Sequence, residues 1–254
     1  MRVGLFVTCL VDAMRPSIGF STLDLLEQAG CEVHVPQAQT CCGQPAWNSG
    51  DQATTHQLAL KWLREFETFD YVVIPSGSCA GMISSHYTQV FLNDPDLRSK
   101  AVQLAEKTYE LTDFLVNVIG LDTLKSRLAP QVQSEIKKLT YHDSCSGLRE
   151  LGIKKQPRQL IHTLTQSEVI EMHESEQCCG FGGTFSVKYG EVSSAICDDK
   201  CKHITDTGAQ AVVLGDLGCM LNIKGRMSRL GNNTQVIHIS ELLTGRGEPD
   251  QVGV

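Results

Sequence analysis

The chain has 254 residues, enough to bury a sizeable core as one domain or as two fused halves. Apolar residues make up 41%, charged residues 20%, and the net charge is −7 with no basic run. Those values describe a globular protein and exclude affinity for nucleic acid or an anionic membrane, as does the lack of aromatic residues interleaved with Lys or Arg.

Arg2-Val-Gly-Leu-Phe-Val-Thr reads as a strand running into Cys9. No apolar run approaches the roughly 20 residues of a membrane span. Asp12 ends the first apolar stretch with no cleavage site behind it, so the cytoplasm is the expected compartment. Pro16 suits the first position of a helix in which Ile18, Leu23, Leu26 and Ala29 share a face and which Gly30 ends. Cys31 to Pro36 alternates like a half-buried strand. Cys41-Cys42-Gly43 follows, then a helical stretch from Asp51 to Glu67. Tyr71 to Pro75 is a β-branched run of the buried kind and leads to Ser76-Gly77-Ser78-Cys79. From Asn93 to Gln133 the pattern is helical, with Thr112 capping Asp113 to Ile119 and Gly120 as the stop.

The series then starts again. Lys138 to Ser144 is a strand running into Cys145, and Pro157, Leu160, Ile161 and Leu164 mark the next helix. Glu168 to Met172 is a second strand, Cys178-Cys179-Gly180 a second turn, and Ser186 to Thr207 a second long helix. Ala211 to Gly215 is a third strand ahead of Asp216-Leu217-Gly218-Cys219. The predicted organisation is a first repeat over 1–92, a helical linker over 93–135 and a second repeat over 136–254. The expected fold class is α/β: two pseudo-symmetric halves with parallel sheets and helical crossovers, and cysteine motifs at the C-terminal ends of strands, where open α/β sheets place their sites.

Eight of the eleven cysteines thus form two groups of four: Cys9, Cys41, Cys42 and Cys79, then Cys145, Cys178, Cys179 and Cys219. Thiolates in fours suit iron–sulfur clusters and zinc. A reducing compartment and the poor geometry of adjacent cysteines disfavour disulfides. Zinc sites normally use closely paired knuckles, a spacing that no two of the eight show. Gly43, Gly77, Gly180 and Gly182-Gly183 would let backbone N–H groups approach cluster sulfur. The reading favours one or two [4Fe-4S] clusters held by these cysteines.

The doubled Cys…Cys-Cys-Gly…Cys pattern resembles the cysteine-rich CCG domains of the heterodisulfide reductases and of the glycolate oxidase iron–sulfur protein. Phe6-Val-Thr-Cys9, Cys41-Cys-Gly-Gln-Pro-Ala-Trp-Asn-Ser-Gly50, Pro75-Ser-Gly-Ser-Cys79, Cys178-Cys-Gly-Phe-Gly-Gly-Thr-Phe-Ser186 and Gly218-Cys-Met-Leu-Asn-Ile223 look closest to the lactate utilization protein A family. The resemblance implies an electron-transfer subunit of a cytoplasmic complex that oxidises L-lactate to pyruvate. It also implies partner subunits, with a ferredoxin-like iron–sulfur protein among them. In the fullest family pattern each motif ends Cys-x-x-Cys, supplying five thiolates to a noncubane cluster. Here Ser76 and Asp216 stand at the first position of those pairs, as harder fifth ligands or as hydrogen-bonding loop residues. A thiol–disulfide redox subunit and a zinc or redox-sensing structural protein are the alternatives.

No ferredoxin-type Cys-x-x-Cys-x-x-Cys run, G-x-G-x-x-G fingerprint or catalytic triad order is present, and no catalytic residue stands out. Cys197 and Cys201 share a helix face, as core residues, as metal ligands or as a sensor disulfide. Cys31 reads as core. His142 and Asp143, just ahead of Cys145, could orient a cluster sulfur or relay a proton, or simply end a strand. Lys188 could meet a substrate carboxylate or point to solvent.

Overall fold

The computed structural model describes residues 1–128 and 136–246. It contains two four-stranded sheets, all parallel, each with helical crossovers. The first comprises β1 (Arg2–Leu5), β2 (Glu32–His34), β3 (Tyr71–Ile74) and β4 (Thr108–Glu110), in the order β2-β1-β3-β4. The second comprises β5 (Lys138–Tyr141), β6 (Glu168–Val169), β7 (Ala211–Leu214) and β8 (Gln235–His238), in the order β6-β5-β7-β8. Val3 pairs with Val33 and Tyr71, and Leu139 with Val169 and Ala211, so the two registers are equivalent.

Both sheets are covered on both faces, and the period of two decides which side chain goes where. Val3, Leu5 and Val73 face a central core together with Leu139, Tyr141, Ala211, Val213 and Ile237. That core is common to the halves. Phe6, Val72 and Ile74 face a second core made by the first half. Val212, Leu214 and Val236 face a third core, to which Val11 and Ile18 of the first half also contribute.

The halves are interlocked rather than juxtaposed. The helix Ile239–Thr244, which follows β8, packs on the helix Pro16–Gln28 of the first half. Reciprocally, the helical segment after β4 (Leu111–Asp113, continuing as a π-helical stretch Phe114–Ile119) packs on the helix Lys155–Leu164 of the second. Polar contacts follow the same exchange. Glu241, 1% exposed, accepts from Arg15 Nε at 2.7 Å and from the Ser17 hydroxyl at 2.6 Å. Gln156 Nε2 donates to Asp113 Oδ1 at 3.0 Å.

Several elements depart from the sequence expectations. The stretch read as a helical linker carries β4, because Thr108 to Glu110 extends the first sheet alongside Val72 to Ile74; the expected linker end at 135 lies outside the described residues. Thr112 is not the cap of the following helix. Glu110 is, since its carboxylate turns back from the strand end to accept from the N–H groups of Thr112 at 2.8 Å and Asp113 at 3.3 Å. Burial pushes the Glu110 carboxyl up to about 7. The long helix expected over Ser186 to Thr207 is two, Thr184–Lys188 and Gly190–Asp206, broken where Tyr189 leaves helical geometry at φ −126° and ψ 52°. In the helix Pro16–Gln28, Leu25 is buried and Leu23 only partly so. The helix from Gln52 to Phe66, by contrast, starts at Asp51, whose carboxylate accepts from Thr54 N.

The buried interlock sets an expectation for stability. Glu241→Ala leaves the Arg15 guanidinium without its buried carboxylate, and such losses cost about 3 kcal/mol. Urea unfolding of the variant is expected to show one cooperative transition with a lowered midpoint and an unchanged slope. Two separated transitions would contradict a core shared between the halves.

Candidate metal centres

In each sheet the strand order reverses at the first strand: β2 lies on one side of β1 and β3 on the other, and likewise around β5. A crevice opens beyond the carboxyl ends of the strands at such a point. Cys9 begins a helix that follows β1, Cys79 lies in the helix Gly77–Gly81 after β3, and Cys41 and Cys42 lie in the loop after β2. Their thiols meet there. Cys42 Sγ is 3.3 Å from Cys79 Sγ, and Cys41 is in hydrogen-bonding contact with both Cys9 and Cys42. Cys145, Cys178, Cys179 and Cys219 repeat the row: Cys178 touches Cys145 and Cys179, and Cys179 touches Cys219. All eleven cysteines are free thiols.

Backbone groups hold each row in place. Gly43 N–H donates to Cys41 Sγ at 3.4 Å and Gly180 N–H to Cys178 Sγ at 3.3 Å. Both glycines are left-handed, with φ of +85° and +86°. At Gly180 a Cβ would also stand 2.5 Å from Ser193 O, whereas at Gly43 its nearest neighbour would be Leu58 Cβ at 3.6 Å. Tyr87 OH donates to Cys42 O at 2.9 Å, and Asn222 Nδ2 to Cys179 O at 2.8 Å.

The rows share charge. Cys41, receiving hydrogen bonds from Cys42, Cys9 and Gly43 N–H, is held well below the usual thiol range, and Cys178 is depressed in the same way by Cys145, Cys179 and Gly180. Cys9 and Cys145, which donate those bonds, are pushed up, with burial adding to the effect. Each row therefore sets one more acidic thiol beside neighbours that hold their protons more tightly. A metal replaces such protons, because its thiol ligands must be ionised.

The residues fit an iron–sulfur cluster on three counts. The donor set is a row of four neighbouring thiols per site, and one N–H points at a sulfur in each. His142, completely buried, has no hydrogen-bond partner at either ring nitrogen among the described residues and offers one within 4.8 Å of the Cys179 and Cys219 sulfurs. Burial, followed by the charge of Lys200, lowers its pKa to about 3, so the ring is neutral.

The remaining candidates sort out by contact. Ser76 Oγ lies 3.1 Å from Asp216 Oδ2, which also accepts from Ser78 N at 2.8 Å, while Asp216 Oδ1 accepts from Gly218 N at 3.1 Å. The two positions that lack cysteine are thus hydrogen-bonded to each other across the halves. Asp143 is clamped by Arg158 at 2.8 and 2.9 Å. Cys31, Cys197 and Cys201 are buried, and Lys188 is exposed. Lys200 escaped sequence reading although a signal was present: it interrupts the buried row Ser193, Cys197, Cys201, Ile204. Beside Cys9, the most exposed of the eight, lies a cleft of about 360 Å³ whose lining includes Val7, Asp12, Phe20, Val35 and Gln39.

The family model of the cysteine-rich domain CCG matches residues 3–84 and 139–224. Lactate utilization protein A 2 of Bacillus cereus (strain Q1) is 44% identical over 243 residues, 96% of this chain and 98% of that protein. Lactate utilization protein A of Oceanobacillus iheyensis is 43% identical over 248 residues, 98% of each chain. Among solved structures, a hypothetical protein from Helicobacter pylori superposes with a TM-score of 0.68 at 13% identity, over 98% of this chain and 50% of that one. That likeness concerns the fold alone.

The glycine geometry separates two substitutions. Gly43→Ala meets only the left-handed backbone and is expected to cost about 1–2 kcal/mol. Gly180→Ala adds the clash with Ser193 O and is expected to cost at least twice as much, measured by urea unfolding of the metal-free chain. A second expectation concerns reactivity. With reduced, metal-free protein at pH 6, iodoacetamide should modify Cys41 ahead of the more exposed Cys9, read by peptide mass spectrometry, because the thiolate is the nucleophile. Labelling in order of exposure would contradict the shared-charge arrangement.

Proposed function

The chain belongs to the cysteine-rich CCG family, among the relatives named lactate utilization protein A, and from this membership we propose that it is an iron–sulfur electron-transfer subunit of a cytoplasmic system that oxidises L-lactate to pyruvate. The observation that supports the reading is a row of four neighbouring thiols at equivalent points of each half of a duplicated sheet. Cys9, Cys41, Cys42 and Cys79 would hold one [4Fe-4S] cluster, and Cys145, Cys178, Cys179 and Cys219 a second. When bound, each cluster takes up and releases one electron at a time. Oxidation of lactate to pyruvate releases two electrons, which matches two one-electron centres.

The residues of the chain serve the sites in distinct ways. The thiols bind; Gly43 and Gly180 N–H groups orient Cys41 and Cys178 and offset negative charge on sulfur. Trp62, Phe66 and Tyr87 under the first site, and Met172, Met220 and Ile223 in the core of the second, exclude water. The Ser76–Asp216 contact fixes the loops that carry Cys79 and Cys219 relative to each other. Lactate itself is expected on a partner protein. The cleft beside Cys9 is lined by apolar side chains, by the neutral polar Gln37, Gln39 and Thr40, and by the Asp12 carboxylate, which repels a 2-hydroxy acid anion and has no cation beside it in the lining. Partner proteins, including a ferredoxin-like iron–sulfur protein, would bring electrons to the chain and take them away.

Strictly anaerobic purification is expected to yield about eight iron and about eight acid-labile sulfide per chain, as two four-iron clusters require. Cys79→Ala and Cys219→Ala should each remove about half. Stoichiometric zinc without sulfide would overturn the reading. Deletion of the gene should abolish growth on L-lactate while leaving growth on pyruvate intact.

A further inference from the structure

The duplicated backbone places different side chains beneath the two thiol rows. Phe6 stands three residues before Cys9, and His142 three before Cys145. On the long helix that follows each Cys-Cys-Gly turn, Thr55 lies against Gly43 and Ser193 against Gly180. Seven residues further along come Trp62 in one half and Lys200 in the other. The first row therefore rests on an aromatic floor. Phe6 meets the edge of Trp62 with ring centres 6.2 Å apart, and Trp62 meets Tyr87 at 5.7 Å, in the same core as Cys42 and Cys79. The second rests on His142 and Lys200, both completely buried.

Burial lowers the pKa of Lys200, and its hydrogen bonds offset that by suiting the ammonium form. Its Nζ has three acceptors for three N–H bonds: Glu174 O at 2.7 Å, Ser175 O at 3.2 Å and Met172 Sδ at 3.8 Å. None of the three is an anion. Two buried carboxylates are near. Asp143 acts on the lysine but is bidentate to Arg158. Asp216 acts on Cys145 and Cys219 but accepts from the Ser76 hydroxyl, Ser78 N and Gly218 N, so neither is hydrogen-bonded to Lys200. The lysine charge acts on Cys179, Cys178 and Cys219. The thiols of both rows are acted on most strongly by one another and by the cost of burial; a lysine charge reaches Cys219 in the second row, and none is among the groups acting on Cys9, Cys41 and Cys42.

Reducing a cluster adds one negative charge to a site of low dielectric. A fixed cation there favours the reduced form, and a purely aromatic floor does not. We propose that Lys200 gives the centre in the second half a higher reduction potential than the centre in the first, which makes the second half the electron sink of the chain. Each internal passage then oxidises the first centre by one electron and reduces the second by one. Lys200 acts as a positioning residue for charge, not as a ligand. The inference rests on the proposal that both rows hold iron–sulfur clusters.

The test is a potentiometric titration of the anaerobically purified full chain followed by electron paramagnetic resonance, with iron and sulfide counted first. Cys219→Ala leaves the first centre for measurement and Cys79→Ala leaves the second. The expected order is a higher potential for the second, and this comparison needs no change at Lys200. Lys200→Gln keeps a donor for the carbonyls and removes the charge. It is expected to lower the potential of the second centre by at least tenfold in its one-electron equilibrium, about 59 mV, with the first unchanged. Lys200→Met, close in volume, should do the same. Equal or reversed potentials, or an unshifted second centre in Lys200→Gln with full iron content, would overturn the inference. A chain without iron and sulfide would instead sink the cluster assignment on which it rests.

Discussion

Thiols buried side by side resist ionisation, since each additional charge repels the last and loses hydration. In this molecule each row of four is nonetheless held together, with one thiol made more acidic by its neighbours and by a glycine N–H. The sheets make that possible. Parallel strands deliver three loops to one edge, and the reversal of strand order at β1 and β5 leaves the opening into which those loops turn. A bound cluster would take up the charge that the metal-free row cannot distribute.

The same edge joins the halves. The loops after β3 and β7 meet through Gly77 N–H to Gly215 O at 3.3 Å and through Ser76 and Asp216, so the segments bearing Cys79 and Cys219 are set by one interface. Gly77 has no room for a Cβ there, since one would stand 2.8 Å from Ser144 Oγ and 3.1 Å from Gly147 Cα. Helix exchange, with Glu241 holding Arg15, ties the remaining elements into the shared core. Displacement of one half would thus disturb both thiol rows. This coupling explains why residues outside the rows, such as Glu110 and Asp216, are buried with their carboxylates hydrogen-bonded.

Duplication kept the frame and let the floor diverge. Phe6 and Trp62 fill their site with rings, while His142 and Lys200 fill the equivalent volume with groups that carry or accept a proton. A buried cation without an adjacent free anion is costly for folding. Its retention beneath sulfur ligands is intelligible where a negatively charged centre completes the site.

Much of this was legible along the chain. The doubled cysteine spacing, the β-branched runs at Tyr71 to Ile74 and Ala211 to Leu214, and Pro16 and Gly30 bounding a helix are local signals, written in neighbouring residues. They determined the α/β class, the two repeats and the eight thiols as a set. What only the tertiary structure decided depends on residues distant in sequence. Thr108 to Glu110 became a strand because β3 offered it an edge, against a helical local pattern. Ser76 and Asp216 found each other across 140 residues. Lys200 sits in sequence among Ser193, Cys197, Cys201 and Ile204, yet only the fold buries it and brings its charge to act on Cys178, Cys179 and Cys219. Spacing encodes which residues can face the same way, but burial and charge at a site are sums over elements that the chain brings together only by folding.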